Sequence, residues 1–537
     1  MSEGAGSRGQ GAGAQSANSP APRALRPAPS IPVGLFVLAF VTYAWFFNGG
    51  GWNQNAHFDL TRALAERQTL HIDGYRVNTG DIGWSAISGE WHAYSNKPPG
   101  LPFLAAIPYA ALSAIERALG YSIDDWRVMT LNVYILTLLF CAIPGALMPA
   151  VLYRYARMRM NAPPRAALLL ALTVAFGTIV FPYATMFFSV VPAALFLLLA
   201  FVWLDERPVL AGVCAGIAGI CYYPCILAAG VLASGAFAKR RAWLQPAPPG
   251  GGRAEATPYV FKFIAGGIPF GFLLAAYHTI AFGAPWRTSL QPANTFAQRD
   301  LFLGLFRAHP TTDALWGLLM SEYRGLFFVS PVLVMALVGA VMMIRRRVMR
   351  RELAMIGAIA AIFVVLMTSF SGWEGGASFG PRHILQVIPL LAIPVAYLRG
   401  RVLTGIATAL LVVSVAIQFI ATSVNPMPDG GNRQPLQTYY LPEFRAGHVS
   451  VNRQAVDELI PHVIHAKGSF ESEWASFNLG ELVFGPGNIA SVLPIALWML
   501  LGMTTSMPSR RRPRARASFS CRGRAGRCRC RSRSRRR

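Results

Sequence analysis

The sequence predicts an all-α polytopic membrane protein, and three observations lead to this fold class. Of the 537 residues, 54% are hydrophobic and only 14% are charged, whereas soluble domains carry about 25% charged residues. The mean hydropathy is +0.41, and many apolar runs approach the roughly 20 residues that a helix needs to cross a bilayer. These runs are continuous, which excludes the alternating strands of a membrane barrel.

Apolar segments account for a bundle of about twelve transmembrane helices. Several are short, and the sequence "CYYPC" at 221–225 leaves two alternatives, because Pro224 lacks a backbone donor. Either two half-length helices or one kinked helix would fit. The predicted spans are 31–47, 128–152, 166–182, 187–204, 209–221, 224–238, 259–283, 325–344, 353–370, 383–398, 402–421 and 489–506.

Basic residues set the predicted orientation. The formal net charge is +25, but fourteen arginines lie in the last 28 residues, and most other cations occupy short loops between apolar runs. This distribution is typical of the positive-inside rule and does not indicate a nucleic-acid partner. Residues 31–506 then form the membrane domain. Segments 1–30 and 507–537 cannot form a core, and we predict a disordered cytoplasmic leader and a disordered, arginine-rich cytoplasmic tail.

The position of the apolar segment 101–117 decides on which side of the membrane every later loop lies. Its first charge, Glu116, follows only 15 apolar or small residues, which is short for a span. If the segment crosses the membrane, every later basic loop faces outward. If it lies along the outer interface, every basic loop faces the cytoplasm. We therefore predict an interfacial segment, with the outward-facing stretches at 48–127, 284–323, 371–382 and 422–488.

The first outward stretch predicts a short helix along the membrane. Asn53 is a candidate N-cap. Helical spacing then places Asp59, Arg62 and Glu66 on one face. A loop or small hairpin follows up to "YSNKPPG", where a lone lysine and two prolines open an apolar segment.

These residues carry a resemblance to a known family. A first span, an outward helix at 53–65 and "Y-x-x-K-P-P" at 94–99 resemble the GT-C glycosyltransferases that use lipid-linked sugars. The pattern is similar to that of protein O-mannosyltransferases and of the aminoarabinose transferases that modify lipid A. The later stretches "LMSEYRGLFFVSPVL" and "SGWEGGASFGPRHILQVIPLL" are similar to those of a bacterial branch of this group. The resemblance implies a GT-C-like bundle over most of 31–506.

The resemblance implies transfer of a hexose or pentose from a polyprenyl-phosphate donor to a glycan, lipid or protein acceptor. The reaction would take place on the outer, periplasmic face of a bacterial inner membrane. Lys97, Arg382 and Arg324 lie at outward ends of apolar segments, where a cation avoids the cost of about 2.5–3.5 kcal/mol at mid-bilayer. We expect them to bind the donor phosphate. Alternatively, Lys97 and Arg382 only anchor the interface, and Arg324 pairs with Glu322.

One departure from the family concerns the catalytic base. Where the family has an acidic pair, this chain has Asn53 and Gln54, and an amide cannot accept a proton as a base. The nearest carboxylate on the helix is Asp59, which we predict as the catalytic residue, although it could merely pair with Arg62. We predict further substrate-binding residues: Asn53, Gln54, Tyr94, Asp81, Trp373 and Glu374.

No metal ligands are assigned from the sequence, because the seven cysteines lie in apolar runs or in the tail. A divalent metal nevertheless stays open as a cofactor of the transfer. Two other functions also stay open. One is a non-catalytic lipid-binding or envelope-assembly protein on the same scaffold, and the other is a transporter or flippase. A transporter would more often show two similar halves or polar residues at mid-bilayer.

Overall fold

The computed structural model describes residues 30–87, 89–243, 259–289, 301–302, 304–451 and 476–505. The predicted leader (1–30, except its last residue) and the predicted tail (507–537) lie outside the described residues. So does the part of the last outward stretch between 452 and 475.

The described chain is mostly helical. Its helices are α1 (Ser30–Ala44), α2 (Trp52–Arg62), α3 (Gly100–Ala118), α4 (Trp126–Thr137), α5 (Ile143–Met158), α6 (Pro164–Phe176), α7 (Val180–Tyr183), α8 (Val190–Trp203), α9 (Pro208–Cys221), α10 (Cys225–Trp243), α11 (Tyr259–Phe282), α12 (Thr312–Leu319), α13 (Leu326–Val329), α14 (Val334–Arg345), α15 (Arg350–Ser369), α16 (Ile388–Ala392), α17 (Arg401–Val424), α18 (Leu441–Arg445), α19 (Glu481–Phe484) and α20 (Leu493–Thr505). π-Helical turns extend α2 over Ala63–Arg67 and join α4 to α5 over Leu138–Ala142. Two 3-10 turns, Arg382–Val387 and Ile393–Tyr397, flank α16.

The apolar helices confirm the predicted fold class, an all-α polytopic membrane protein. By length and composition, four helices can cross a membrane: Trp126–Met158, Tyr259–Phe282, Arg350–Ser369 and Arg401–Val424. Shorter apolar helices of 10–17 residues coincide with the other predicted spans in the described part of the chain. Helix α11 exposes large apolar side chains, such as Phe272 at 73% and Ile280 at 64%. Such a surface suits contact with lipid chains.

Two short antiparallel sheets interrupt the helical pattern. Strand β1 (Phe46–Asn48) pairs with β4 (Ser476–Asn478), and β2 (Ile82–Ser85) pairs with β3 (His92–Ser95). The first predicted span, 31–47, therefore ends early, because α1 stops at Ala44 and the chain enters β1. The predicted small hairpin is confirmed in β2 and β3.

The break at 221–225 separates two helices. Helix α9 ends at Cys221, Tyr222 is extended, and α10 begins at Cys225. Pro224 removes a donor at this point, so the structure has two short helices where the sequence left a kinked helix as an alternative.

Helix α3 packs along α2 and is not among the helices long and apolar enough to cross a membrane. Arg62, which precedes α3, lies 2.6 Å from Asp124, which follows it. A helix that crossed the roughly 30 Å hydrocarbon core between them would keep these residues apart. The contact supports the prediction of an interfacial segment at 101–117.

Candidate functional site

A cleft with a volume of about 1070 Å³ lies among the stretches that the sequence predicts to face outward. It is lined by the start of α2, both ends of the β2–β3 hairpin, the glycine-rich loop before α16 and the segment after α17. The lining residues are Gly51, Trp52, Asn53, Gln54, Asp81, Asn96, Lys97, Phe188, Leu305, Phe370, Ser371, Gly372, Gly375, Gly376, Ala377, Arg382, His383, Asn425, Met427, Asp429, Gly430, Asn432, Tyr439 and Val451.

The start of α2 brings two amides to the cleft. Gly51, not Asn53, is the N-cap, and its φ of 86° is a conformation that glycine adopts without strain. The predicted N-cap at Asn53 is therefore wrong, and Asn53 is already inside the helix. Its buried Oδ1 has no hydrogen-bond partner among the described residues. Gln54 donates to the sulfur of Met427 at 2.8 Å.

The β2–β3 hairpin brings the carboxylate of Asp81 and the ammonium of Lys97 together. Asp81 precedes β2, and Asn96 and Lys97 follow β3, so the pairing of the strands brings them together. Asn96 donates its backbone N–H to the carbonyl of Asp81 at 3.0 Å. The ammonium of Lys97 lies 2.9 Å from Oδ2 of Asp81. The position of Lys97 thus depends on strand register.

The side chain of Lys97 is largely shielded from water. Burial lowers its pKa, the Asp81 carboxylate opposes that shift, and the Arg382 guanidinium lowers the pKa further. Lys97 and Arg382 both line the cleft, where their like charges oppose each other. Two cations in one cleft favour the binding of an anion between them.

Arg382 is held in place by packing. Its guanidinium lies over the ring of Phe188, 5.4 Å from the centroid. Gly375 leaves room for it, because a Cβ there would come within 2.9 Å of Nε. Within the described ranges, no side chain or carbonyl accepts a hydrogen bond from this guanidinium. Its donors are therefore available to a ligand.

Arg324 does not join these cations. It is fully buried, and its guanidinium donates to the carbonyls of Glu374, Tyr323 and Gly376 at 2.8, 3.0 and 2.6 Å. Arg324 does not pair with Glu322 and does not line the cleft, so its geometry does not favour the expected role as a phosphate ligand. Arg324 instead holds the 374–376 loop that forms one wall of the cleft.

Asp59 is also outside the cleft. It is 1% exposed, it accepts a hydrogen bond from Asn78 at 3.1 Å, and its Oδ2 has no partner among the described residues. Burial raises the pKa of Asp59 to about 8, against the hydrogen bond from Asn78 and the charge of Arg62. Asp59 does not line the cleft, so a carboxylate within the cleft is better placed than Asp59 to act as the base there.

The alternative that Asp59 pairs with Arg62 does not hold either. Arg62 donates to Glu66 at 2.8 Å and to Asp124 at 2.6 Å. Glu66 also accepts from Tyr109 and Tyr75. This network fastens α2 to α3. Asp59 takes no part in it and accepts its hydrogen bond from Asn78.

Three predicted substrate-binding residues lie elsewhere. Tyr94 packs on Phe282 with ring centroids 5.3 Å apart. Trp373 packs edge-on against Tyr323. Glu374 accepts from Arg433 at 2.9 Å and from Tyr323. These are structural contacts, and none of the three residues lines the cleft.

The cleft also contains residues that the sequence analysis did not single out. Besides Asn96, it includes His383, Asn425, Asp429 and Asn432. His383 directly follows Arg382 in "GPRH", so its position next to a predicted phosphate ligand could have indicated that it lies at the same site. The others lie in a polar loop after α17, and no local pattern marks them.

Three possible metal ligands lie together outside the cleft. The donor atoms of His71, Asp73 and His92 are within 4.8 Å of one another. The sequence analysis assigned no metal ligands, and these three residues come together only where the hairpin folds beside residues 71–73.

Neither the protein-family models nor the curated proteins contain a match to this chain. Among solved structures, the chain is similar to the crystal structure of ArnT from Cupriavidus metallidurans bound to undecaprenyl phosphate. The sequences are 16% identical, the match covers 89% of this chain and 76% of that chain, and the TM-score is 0.42. A similarity of this degree assigns no role to any residue of this chain.

Proposed function

We propose that the protein is a GT-C-like membrane glycosyltransferase that moves a sugar from a polyprenyl-phosphate donor to an acceptor hydroxyl at this cleft. One observation carries the proposal. Arg382 is a permanent cation that lines the cleft beside Lys97, and within the described ranges nothing accepts a hydrogen bond from its guanidinium. A partly buried charge in this state is costly until an anion joins it.

A phosphate monoester or diester suits the two cations. A guanidinium can grip two phosphate oxygens in parallel, while an ammonium acts as a mobile point charge. At 4 Å and an effective dielectric of about 20, each attracts a phosphate charge by roughly 4 kcal/mol. The apolar walls, including Phe188, Leu305 and Phe370, would accommodate the isoprenoid chain next to the phosphate.

Asp81 replaces Asp59 as the proposed base, because it is a carboxylate within the cleft. In the transfer, the acceptor oxygen bonds to the anomeric carbon as the bond from that carbon to the phosphate oxygen breaks. The acceptor proton passes to Asp81, and the polyprenyl phosphate leaves with its extra negative charge beside Arg382 and Lys97. The unpartnered Oδ1 of Asn53 would accept a hydrogen bond from a sugar hydroxyl.

The location is part of the proposal. The cleft would open to the periplasm from a bacterial inner membrane, with both chain termini in the cytoplasm. Basic loops support this orientation, since ion pairs join Arg159 to Glu206 and Arg351 to Asp205 at 2.7 and 2.8 Å. These residues come from loops that the positive-inside rule assigns to one side.

A non-catalytic lipid-binding protein is the second candidate. It is favoured by the amides Asn53 and Gln54, which stand in the cleft where the resembling family has an acidic pair. This protein would bind polyprenyl phosphate without turnover.

The test measures binding and turnover separately with purified full-length protein in detergent. We expect undecaprenyl phosphate to bind the wild type and to bind Arg382→Gln at least tenfold more weakly. Arg433→Gln is the matched control, because Arg433 is exposed, pairs with Glu374 and lies outside the cleft. Equal affinities in wild type and Arg382→Gln would reject the proposed site. Binding without release of sugar from labelled donors would favour the second candidate.

A further inference from the structure

Three metal-ligating side chains converge beside the β2–β3 hairpin, outside the cleft. Oδ2 of Asp73 lies 2.7 Å from Nδ1 of His92 and 3.1 Å from Nδ1 of His71. The two imidazole rings are stacked, with centroids 4.6 Å apart and planes 27° from parallel. Both rings therefore turn the same nitrogen towards one carboxylate oxygen.

The backbone builds this arrangement. Ile72 donates its N–H to the carbonyl of Ala93 at 2.7 Å, and Ala93 donates its N–H to Oδ1 of Asp73 at 2.6 Å. The segment 71–73 thus runs beside β3. His71 and Asp73 are two residues apart, on either side of the buried Ile72, and both side chains meet His92.

The contact between His71 and Asp73 is not already a hydrogen bond. Nδ1 of His71 is buried and, among the described residues, has no hydrogen-bond partner. At 3.1 Å from Oδ2 of Asp73, this nitrogen is within ion-pair distance of the carboxylate but makes no hydrogen bond to it. A cation between the donors would satisfy it.

The donor set selects the class of cation. Two imidazole nitrogens and one carboxylate oxygen suit Zn²⁺ and similar divalent transition metals, whereas Ca²⁺ and Mg²⁺ prefer oxygen ligands throughout. With bonds of about 2.0–2.1 Å, tetrahedral ligands stand about 3.3 Å apart. The two separations from Oδ2 of Asp73, 2.7 Å to His92 and 3.1 Å to His71, would need to open by about 0.6 and 0.2 Å to reach that spacing.

We propose that His71, Asp73 and His92 bind one divalent transition cation, with Zn²⁺ the best match. The cation would fasten the segment after α2 to the hairpin. Because Asp81 and Lys97 stand at the other end of that hairpin, the cation would also fix the geometry of the cleft. Binding of the cation does not depend on the proposed transfer reaction.

The test uses full-length protein that has been stripped with a chelator and dialysed. Zinc content is measured after equilibration with Zn²⁺, and Co²⁺ is added separately to record visible absorption. We expect His92→Gln and Asp73→Asn to hold one zinc per chain less than the wild type, or to bind it at least about 100-fold more weakly. Comparing variants with wild type cancels any zinc on Cys521, Cys528 and Cys530, which the variants retain.

His448→Gln is the matched control. Nδ1 of His448 also lies 2.7 Å from a carboxylate, that of Glu443, but among the described residues this pair has no third metal-ligating side chain beside it. The control should bind zinc like the wild type, and Zn²⁺ should raise the thermal midpoint of both. Equal zinc content and equal Co²⁺ spectra in wild type, Asp73→Asn and His92→Gln would overturn the proposal and leave a cluster of hydrogen bonds.

Discussion

The ammonium of Lys97 lies 2.9 Å from a carboxylate oxygen of Asp81, and both side chains line the same cleft. An ammonium has three donors, so Lys97 can hold Asp81 and a phosphate oxygen at once. The pair therefore links the proposed base to the proposed phosphate site. The next two predictions separate these roles.

Asp81→Asn should lower turnover by at least about 100-fold, the usual scale for a general base. Donor binding should be unchanged or tighter, because Lys97 is freed for the phosphate. The measurement is release of labelled sugar from a polyprenyl-phosphate donor, with binding determined in parallel. Asp429→Asn is the control, since Asp429 also lines the cleft but its carboxylate accepts from the N–H of Gly431. Unimpaired turnover in Asp81→Asn would remove Asp81 from the mechanism.

Lys97→Gln should weaken donor binding by roughly 10- to 100-fold, as expected when a hydrogen bond to a charged group is lost. Lys97→Arg should retain part of the affinity, because it keeps the charge. The double variant with Asp81→Asn supplies the control for the ion pair. If Lys97 only neutralises Asp81, the double variant will bind the donor as well as Asp81→Asn does, and a phosphate contact for Lys97 is then ruled out.

The sequence predicted the membrane architecture because composition alone decides which segments enter a bilayer. It also singled out Lys97 and Arg382, which line the cleft, since a lone cation at the end of an apolar segment is a local signal. It did not predict that Arg324 and Asp59 are buried outside the cleft, because their neighbours in sequence resemble those of exposed residues. Only tertiary packing buries Arg324 against three carbonyls and turns Asp59 towards Asn78.

The sequence did not predict the pairing of β1 with β4 or the metal ligands, for a different reason. Strand β1 has three residues and pairs with a strand more than 400 positions away. So short a strand shows no alternation of apolar and polar residues from which it could be predicted. His71 and His92 meet only because the hairpin folds back beside residues 71–73. Contacts of this kind depend on register, which a single sequence does not specify for short strands.

Asp59→Asn should make stability less dependent on pH and should leave turnover nearly unchanged. The pKa of Asp59 is raised to about 8, whereas an aspartate in an unfolded chain titrates near 3.9. Between these values the folded chain binds more protons, so the free energy of unfolding falls as the pH rises. Asparagine stays neutral and can still accept the hydrogen bond from Asn78.

The measurement is the thermal midpoint in detergent between pH 5 and pH 8. We expect the midpoint of the wild type to drop more steeply than that of Asp59→Asn. Glu90→Gln serves as the control, because Glu90 is exposed and should leave the pH dependence as it is. Identical slopes in wild type and Asp59→Asn would contradict a neutral buried carboxyl.

The last prediction concerns the sidedness of the membrane domain. Ser122 follows α3, and Arg346 stands in the basic loop after α14; both are exposed. Because α3 does not cross the membrane in the predicted threading, a cysteine at Ser122 should react with an impermeant thiol reagent in intact cells. A cysteine at Arg346 should react only after permeabilisation. Both are introduced into a chain whose seven native cysteines are replaced.

The contact between Arg62 and Asp124 at 2.6 Å provides the structural reason. It brings the end of α2 next to the residue just before α4, which agrees with the prediction that α3 does not cross the membrane. Lys97 and Arg382 can then share a cleft while "RRRVMRRE" faces the cytoplasm. Labelling of Arg346→Cys but not Ser122→Cys in intact cells would invert the threading and move the cleft to the cytoplasmic face. A polyprenyl-phosphate sugar presented in the outer leaflet could then not reach it.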